Sequence, residues 1–131
     1  MRTGVIIPDD IRDAILTHTA NCEPEECCGL LAFDFDGRMR FAYPLTNSDR
    51  SESSFTIDPA ESFHVFLHAE KMGWAISGVF HSHPSGPDGL SARDLAEAPP
   101  GWVHLLATSK GLTAFRVSNG VAAEITLGYL T

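Results

Sequence analysis

The side chains best placed to do chemistry together are His81, His83 and Asp94, in the stretch FHSHPSGPDGLSARDLAEA at residues 80–98. Successive side chains of a β-strand alternate between faces, so an extended His81-Ser82-His83 points both imidazoles the same way. Imidazole nitrogen suits zinc, and a carboxylate can supply a third ligand. Three protein ligands leave the fourth tetrahedral position to water, which marks a catalytic rather than a structural centre. Two histidines and an aspartate also accept other divalent metals, so the donor set alone does not single out zinc.

The flanking residues are of the kind needed to bring these three together. The apolar run from Trp74 to Phe80 reads as a buried strand ending at the histidines. Pro84, Gly86, Pro87 and Gly89 then forbid regular structure and reverse the chain. Ser91 with Asp94 three residues on is the pattern of a capped helix start, Ser91 being the N-cap. Asp94 then lies in a first helical turn that the loop can fold back over the strand end. A lone strand histidine is usually a packed residue, and S-x-x-D is usually no more than a capping box. The joint spacing of five chemically compatible positions is what points to a metal.

That spacing, His81-Ser82-His83, seven residues, Ser91, two residues, Asp94, resembles the H-[ST]-H-x7-S-x2-D signature of the JAMM (MPN+) metallopeptidases. Upstream, PEECCGLL at residues 24–31 is similar to that family's P-x-E-x-C-G-L-L segment. The match puts the family's glutamate at Glu26, with Glu25 the second candidate. The resemblance implies that His81, His83 and Asp94 hold Zn²⁺ and that Glu26 is general base and then proton donor to the leaving amine. It also implies that Ser91 donates a hydrogen bond to the tetrahedral oxyanion. One hydroxyl is thus asked both to cap a helix and to stabilise charge, and the sequence does not decide between the two. Ser82 points to the opposite face and reads as structural. No cofactor besides the metal is implied.

The resemblance runs from the first strand to near the C-terminus. It implies a hydrolase acting on the amide bond after the C-terminal Gly-Gly of a ubiquitin-like or sulfur-carrier protein. With 131 residues, the chain has no room for the long insertions by which eukaryotic deubiquitinases grip ubiquitin. It looks more like the compact bacterial members, particularly the Mec-type peptidases that release cysteine from a carrier–cysteine adduct. The carrier's tail would then lie extended beside a sheet edge. The second reading is a general isopeptidase for a ubiquitin-like modifier. A third is a non-catalytic, metal-stabilised MPN interaction module, although such modules lack ligands of the motif that are all present here. A zinc deaminase is disfavoured, because its H-x-E…P-C-x-x-C signature is absent. A homodimer is compatible with the sequence but not specified by it.

The composition bounds these readings. A chain of 131 residues fits one domain, residues 1–131, with a single core. The net charge is −8 and the nine Lys and Arg are scattered, so no basic cluster exists to displace phosphate counterions. An acidic surface also repels anionic membranes. No apolar run approaches the roughly 20 residues that span a bilayer, and no signal-peptide core follows Met1-Arg2-Thr3. Three cysteines, two of them adjacent, argue against a disulfide framework. These features predict a cytoplasmic protein with neither nucleic-acid nor membrane partners.

The remaining segments supply the scaffold. Val5 to Ile7 reads as a short edge strand, followed by a helix with Ile11, Ala14, Ile15 and Leu16 at core spacing and His18 in solvent. Residues 26–33 form a buried strand, and residues 39–45 return as its hairpin partner. Residues 46–54 are a polar connector that either is merely solvated or borders the substrate path. Asp58-Pro59 starts a helix whose core stripe is Phe63, Phe66 and Leu67. His64 and His68 on that helix have i, i+4 spacing but lack the glutamate of an H-E-x-x-H site. Strands follow at residues 102–108, 112–117 and 121–127, with Asn119-Gly120 as the last hairpin turn and His104 as a packed histidine. The order predicts an α+β, three-layer domain with a mixed sheet. The family resemblance implies the same: a curved sheet with flanking helices, comparable to the cytidine-deaminase fold.

Overall fold

The computed structural model describes residues 4–130 of the chain, so Met1 to Thr3, read above for an export signal, lie outside the described residues. Among the described residues eight strands and three helices follow in the order β1 (Val5–Pro8), α1 (Asp9–Cys22), β2 (Cys28–Phe33), β3 (Met39–Leu45), α2 (Pro59–Met72), β4 (Ala75–Ser82), α3 (Ala92–Glu97), β5 (Val103–Thr108), β6 (Gly111–Ser118), β7 (Val121–Ile125) and β8 (Leu127–Leu130). Six strands make a mixed sheet in the order β3-β2-β4-β5-β6-β7. Within this sheet only β4 and β5 pair in parallel, and the connection between them carries α3. The α+β class and the flanking helices are as expected. Among the described residues no helix is long and apolar enough to cross a membrane.

The sheet is buried on both faces. Ile11 and Ile15 of α1 cover Leu31, Phe80 and Leu105 on one side. Val65 of α2 covers Leu30, Tyr43, Leu45 and Val79 on the other. At the centre, β2 and β4 approach too closely for a side chain at residue 29. A Cβ there would run into the Phe80 ring and the Tyr43 carbonyl oxygen, so Gly29 is required by packing.

Several local expectations are corrected. On α2 the buried residues are Val65 and Ala69, whereas Phe63, Phe66 and Leu67 are exposed. Val65 and Ala69 lie about 200° and 240° round the helix from Phe63, so this helix has two apolar arcs, and periodicity does not say which faces the sheet. On α1, Ala14 and Leu16 likewise stay outside the core. His18 is not in solvent: its Nε2 lies 3.2 Å from the Leu45 carbonyl oxygen and its ring meets Phe80 edge-on. β1 is an edge strand as expected, but of a separate two-stranded sheet in which it pairs in parallel with β8. Asp58 does cap α2, accepting the N–H groups of Ala60 and Glu61. Asn119 and Gly120 both take positive φ, as a two-residue primed turn demands.

Candidate metal centre

His81 and His83 stand at the C-terminal end of β4, where the strand runs out into its Pro/Gly loop. Both are buried, and their Nε2 atoms are 3.3 Å apart. The His83 Nδ1–H donates to the Pro87 carbonyl at 2.9 Å, which leaves a neutral His83 with its Nε2 lone pair facing His81. Phe55 stacks on the His81 ring with centroids 4.6 Å apart, fixing its plane.

Asp94 arrives from the first turn of α3. The Ser91 Oγ accepts the Asp94 N–H at 3.1 Å and the Asp94 Oδ2 accepts the Ser91 N–H at 2.8 Å, a complete capping box. The same Oδ2 lies 3.2 Å from His81 Nε2 and 3.6 Å from His83 Nε2. A tetrahedral ion with bonds of about 2.0–2.1 Å sets neighbouring donor atoms about 3.3–3.4 Å apart. The three separations of 3.2, 3.3 and 3.6 Å are therefore those of one face of such a tetrahedron. By donor type and by spacing, His81, His83 and Asp94 fit a zinc-sized divalent cation.

Glu26 precedes β2 rather than opening it, and it is buried. Its Oε2 is 3.9 Å from His83 Nε2, and its carboxylate converges with His81 and His83 so that one donor atom from each lies within 4.8 Å of the others. That is longer than the tetrahedral edge and leaves Glu26 the more distant carboxylate. Glu25, the second candidate, is only half-buried and outside that convergence. Burial pushes the Glu26 carboxyl up to about 7, with His83 pulling it down and Asp94 pushing it further up. Burial also opposes the Asp94 charge, but hydrogen bonds from His81 and His83 hold its carboxyl below the usual range. The His83 imidazole is raised by its contact with Asp94, against burial.

The connector at residues 46–54 does more than occupy solvent. Ser51 accepts the Glu26 N–H through its carbonyl oxygen at 2.8 Å, and Asn47, buried, donates its Nδ2–H to the Glu26 carbonyl at 3.1 Å. Arg93 of α3 pairs with Asp49 at 3.2 Å and reaches Thr56 at 3.0 Å, tying this connector to the helix that bears Asp94. From the other side, fully buried Ser82 accepts the Cys27 N–H on its Oγ at 2.8 Å and donates its own N–H to the Cys27 carbonyl at 3.2 Å. Sequence reasoning placed Ser82 on the structural face but missed Asn47, Ser51 and Arg93. These act across 21 to 44 residues of chain, and only the polar character of the connector hinted at them.

Comparison with known proteins identifies the relatives of this chain. The family described as Prokaryotic homologs of the JAB domain (Prok-JAB) matches residues 8–118. A relative named desampylase, from Haloferax volcanii, is 35% identical over 109 residues, covering 78% of each chain. A relative from Mycobacterium tuberculosis, named CysO-cysteine peptidase, is 27% identical over 127 residues, 92% of this chain and 87% of its own. The solution structure of protein DSY2949 from Desulfitobacterium hafniense superposes with a TM-score of 0.84 at 28% identity, over 96% of this chain and 92% of that one.

Proposed function

The chain belongs to the prokaryotic JAB-domain family, and on that premise we propose that it is a zinc metallopeptidase hydrolysing the amide bond after the C-terminal Gly-Gly of a ubiquitin-like or sulfur-carrier protein, releasing cysteine from a carrier–cysteine adduct. The observation that carries the reading is the tetrahedral spacing of the His81, His83 and Asp94 donor atoms with a second, protonatable carboxylate just beyond them. When bound there, the ion supplies Lewis acidity and lowers the pKa of water from 15.7 to about 7.

The chain's own residues divide the rest. Glu26, held near neutrality by burial, takes the proton from the attacking water and returns it to the leaving amine. Ser91 serves both demands at once: its oxygen lone pair accepts the Asp94 N–H, and its own O–H remains to donate to the oxyanion. Asn47 and Ser51 hold the Glu26 backbone, so the base does not drift as it changes charge. The substrate is a soluble protein met in the cytoplasm, with its flexible tail laid beside the sheet.

A second reading, a general isopeptidase for a ubiquitin-like modifier, is favoured by the higher identity to the Haloferax desampylase. One experiment separates the two. Metal-loaded protein is incubated with carrier–cysteine adducts and with lysine-linked conjugates of the same carrier, and the products are weighed by mass spectrometry. Loss of a single cysteine supports the first reading, and cleavage of lysine-linked conjugates alone supports the second. Cleavage of neither overturns both.

A further inference from the structure

Beside Asp94 and Ser91 lies a cavity of about 240 Å³ that the mechanism above does not use. Its floor is a row of register partners across three strands, Leu30 of β2, Val79 of β4 and His104 of β5. Phe55, Ile57 and Trp102 form apolar walls, and Arg93, Asp94 and Glu97 also line the cavity. Within that floor row His104 is the polar member. It is 3% exposed, and neither of its ring nitrogens has a hydrogen-bond partner. Buried polar atoms in native proteins are rarely left so, and two on one ring ask for an explanation. The ring is neutral, since burial lowers its pKa to about 4, so it presents one N–H donor and one bare acceptor.

The position of the cavity narrows what it can hold. Val79 and His81 are two apart on β4, so the floor row lies one strand step, roughly 6.6–6.8 Å, from a histidine of the metal centre on the same face. If the peptidase reading above holds, the two residues before the scissile bond are glycines, which have no side chains to seat. A walled cavity beside the reacting centre then serves the residue that leaves. A neutral imidazole in a largely apolar floor favours a short side chain whose end can pair with either kind of ring nitrogen, as donor or as acceptor. The methylene stem of an ε-linked lysine offers that imidazole nothing to bond.

We propose that this cavity seats the side chain of the leaving residue and that His104 is the specificity-determining group, selecting a short thiol- or hydroxyl-bearing amino acid joined through its α-amine. The thiol or hydroxyl bonds one of the two orphaned ring nitrogens, donating if it meets the bare one and accepting if it meets the N–H, since the two diverge too far for one atom to reach both.

Two measurements on the zinc-loaded chain test this. The first compares kcat/KM for carrier tails ending Gly-Gly-Cys, Gly-Gly-Ser and Gly-Gly-Ala. The Cys-to-Ala and Ser-to-Ala ratios are expected to fall on the order of tenfold in His104→Leu and to be partly retained in His104→Gln, which keeps a donor and an acceptor. The second follows the NMR ring signals of His104, assigned by their loss in His104→Gln, during titration with L-serine, L-alanine and L-lysine. Serine replaces cysteine here because a free thiolate would bind zinc directly. A saturable shift with serine but not with alanine or lysine is expected. If the protein cleaves no Gly-Gly tail yet serine shifts the His104 ring, the peptidase reading falls and the assignment of the cavity stands. If the tails are cleaved but the ratios survive substitution of His104 and no serine-specific shift is seen, the assignment is overturned and the peptidase reading is untouched. Should His104→Leu not fold, His104→Gln and the titration of the unsubstituted protein still decide.

Discussion

Two pairs of histidines in this molecule have ligand-like spacing, His81/His83 at the end of β4 and His64/His68 on α2. Alternation on a strand aligns the first pair, and i, i+4 periodicity on a helix aligns the second. The first pair is buried, with each ring held by a neighbour, Phe55 against His81 and the Pro87 carbonyl on His83. The second is exposed, and the His68 Nδ1 shares a 2.7 Å hydrogen bond with the Tyr43 hydroxyl. Among the described residues, the converging group of metal-capable side chains contains the first pair and not the second. Spacing within one element is thus the lesser requirement. A centre needs carboxylates delivered by other elements and rings buried and held in place by their neighbours, as Phe55 and the Pro87 carbonyl hold these two.

The comparison can be broken most decisively at His83. His83→Ala is expected to lose the metal and to lower activity by roughly three orders of magnitude, whereas His64→Ala leaves metal content at the wild-type level. Metal analysis of the purified proteins checks both, and metal retained in His83→Ala would undo the contrast. Glu26→Gln sharpens it from the other side, keeping the metal but losing roughly 10²–10⁴-fold in kcat. Glu26 works as a base only when ionised, so kcat/KM should fall as pH drops through its pKa. Burial raises that pKa to about 7, and a bound cation lowers it, so the acid limb belongs at or below about 7. A pH–rate profile flat across that range, or unchanged in Glu26→Gln, would remove Glu26 from the reaction. The smallest effect concerns His68→Ala, which breaks the Tyr43 hydrogen bond and costs about 1 kcal/mol of stability by denaturant unfolding, with metal content unchanged.

How far the sequence discloses the molecule follows the range of the interactions. The strand that ends at His81 and His83, the Ser91 cap and the Asp94 turn are each set by neighbours within a few residues, and all form where the pattern puts them. The face that α2 turns to the sheet is a tertiary choice between two apolar arcs, and the local pattern points to the wrong one. The pairing of β1 with β8 joins opposite ends of the chain and leaves no local mark. Asn47 and Arg93 look like any loop amide and helix arginine until the fold sets them against Glu26 and Asp49. His104 has the pattern of a packed strand histidine, and only in three dimensions do its ring nitrogens prove unpartnered.

The paired bonds between Ser82 and Cys27 have a mechanical consequence. Cys27 is the residue next to Glu26, so β2 cannot slide along β4 without tearing both bonds before the carboxylate changes its distance from the imidazoles. Glu26 and the two histidines are in effect bolted to one plate, while Asp94 comes from a separate helix that the Arg93–Asp49 pair clamps to the connector. A shift of that helix would leave the spacing of Glu26 from the histidines as it is.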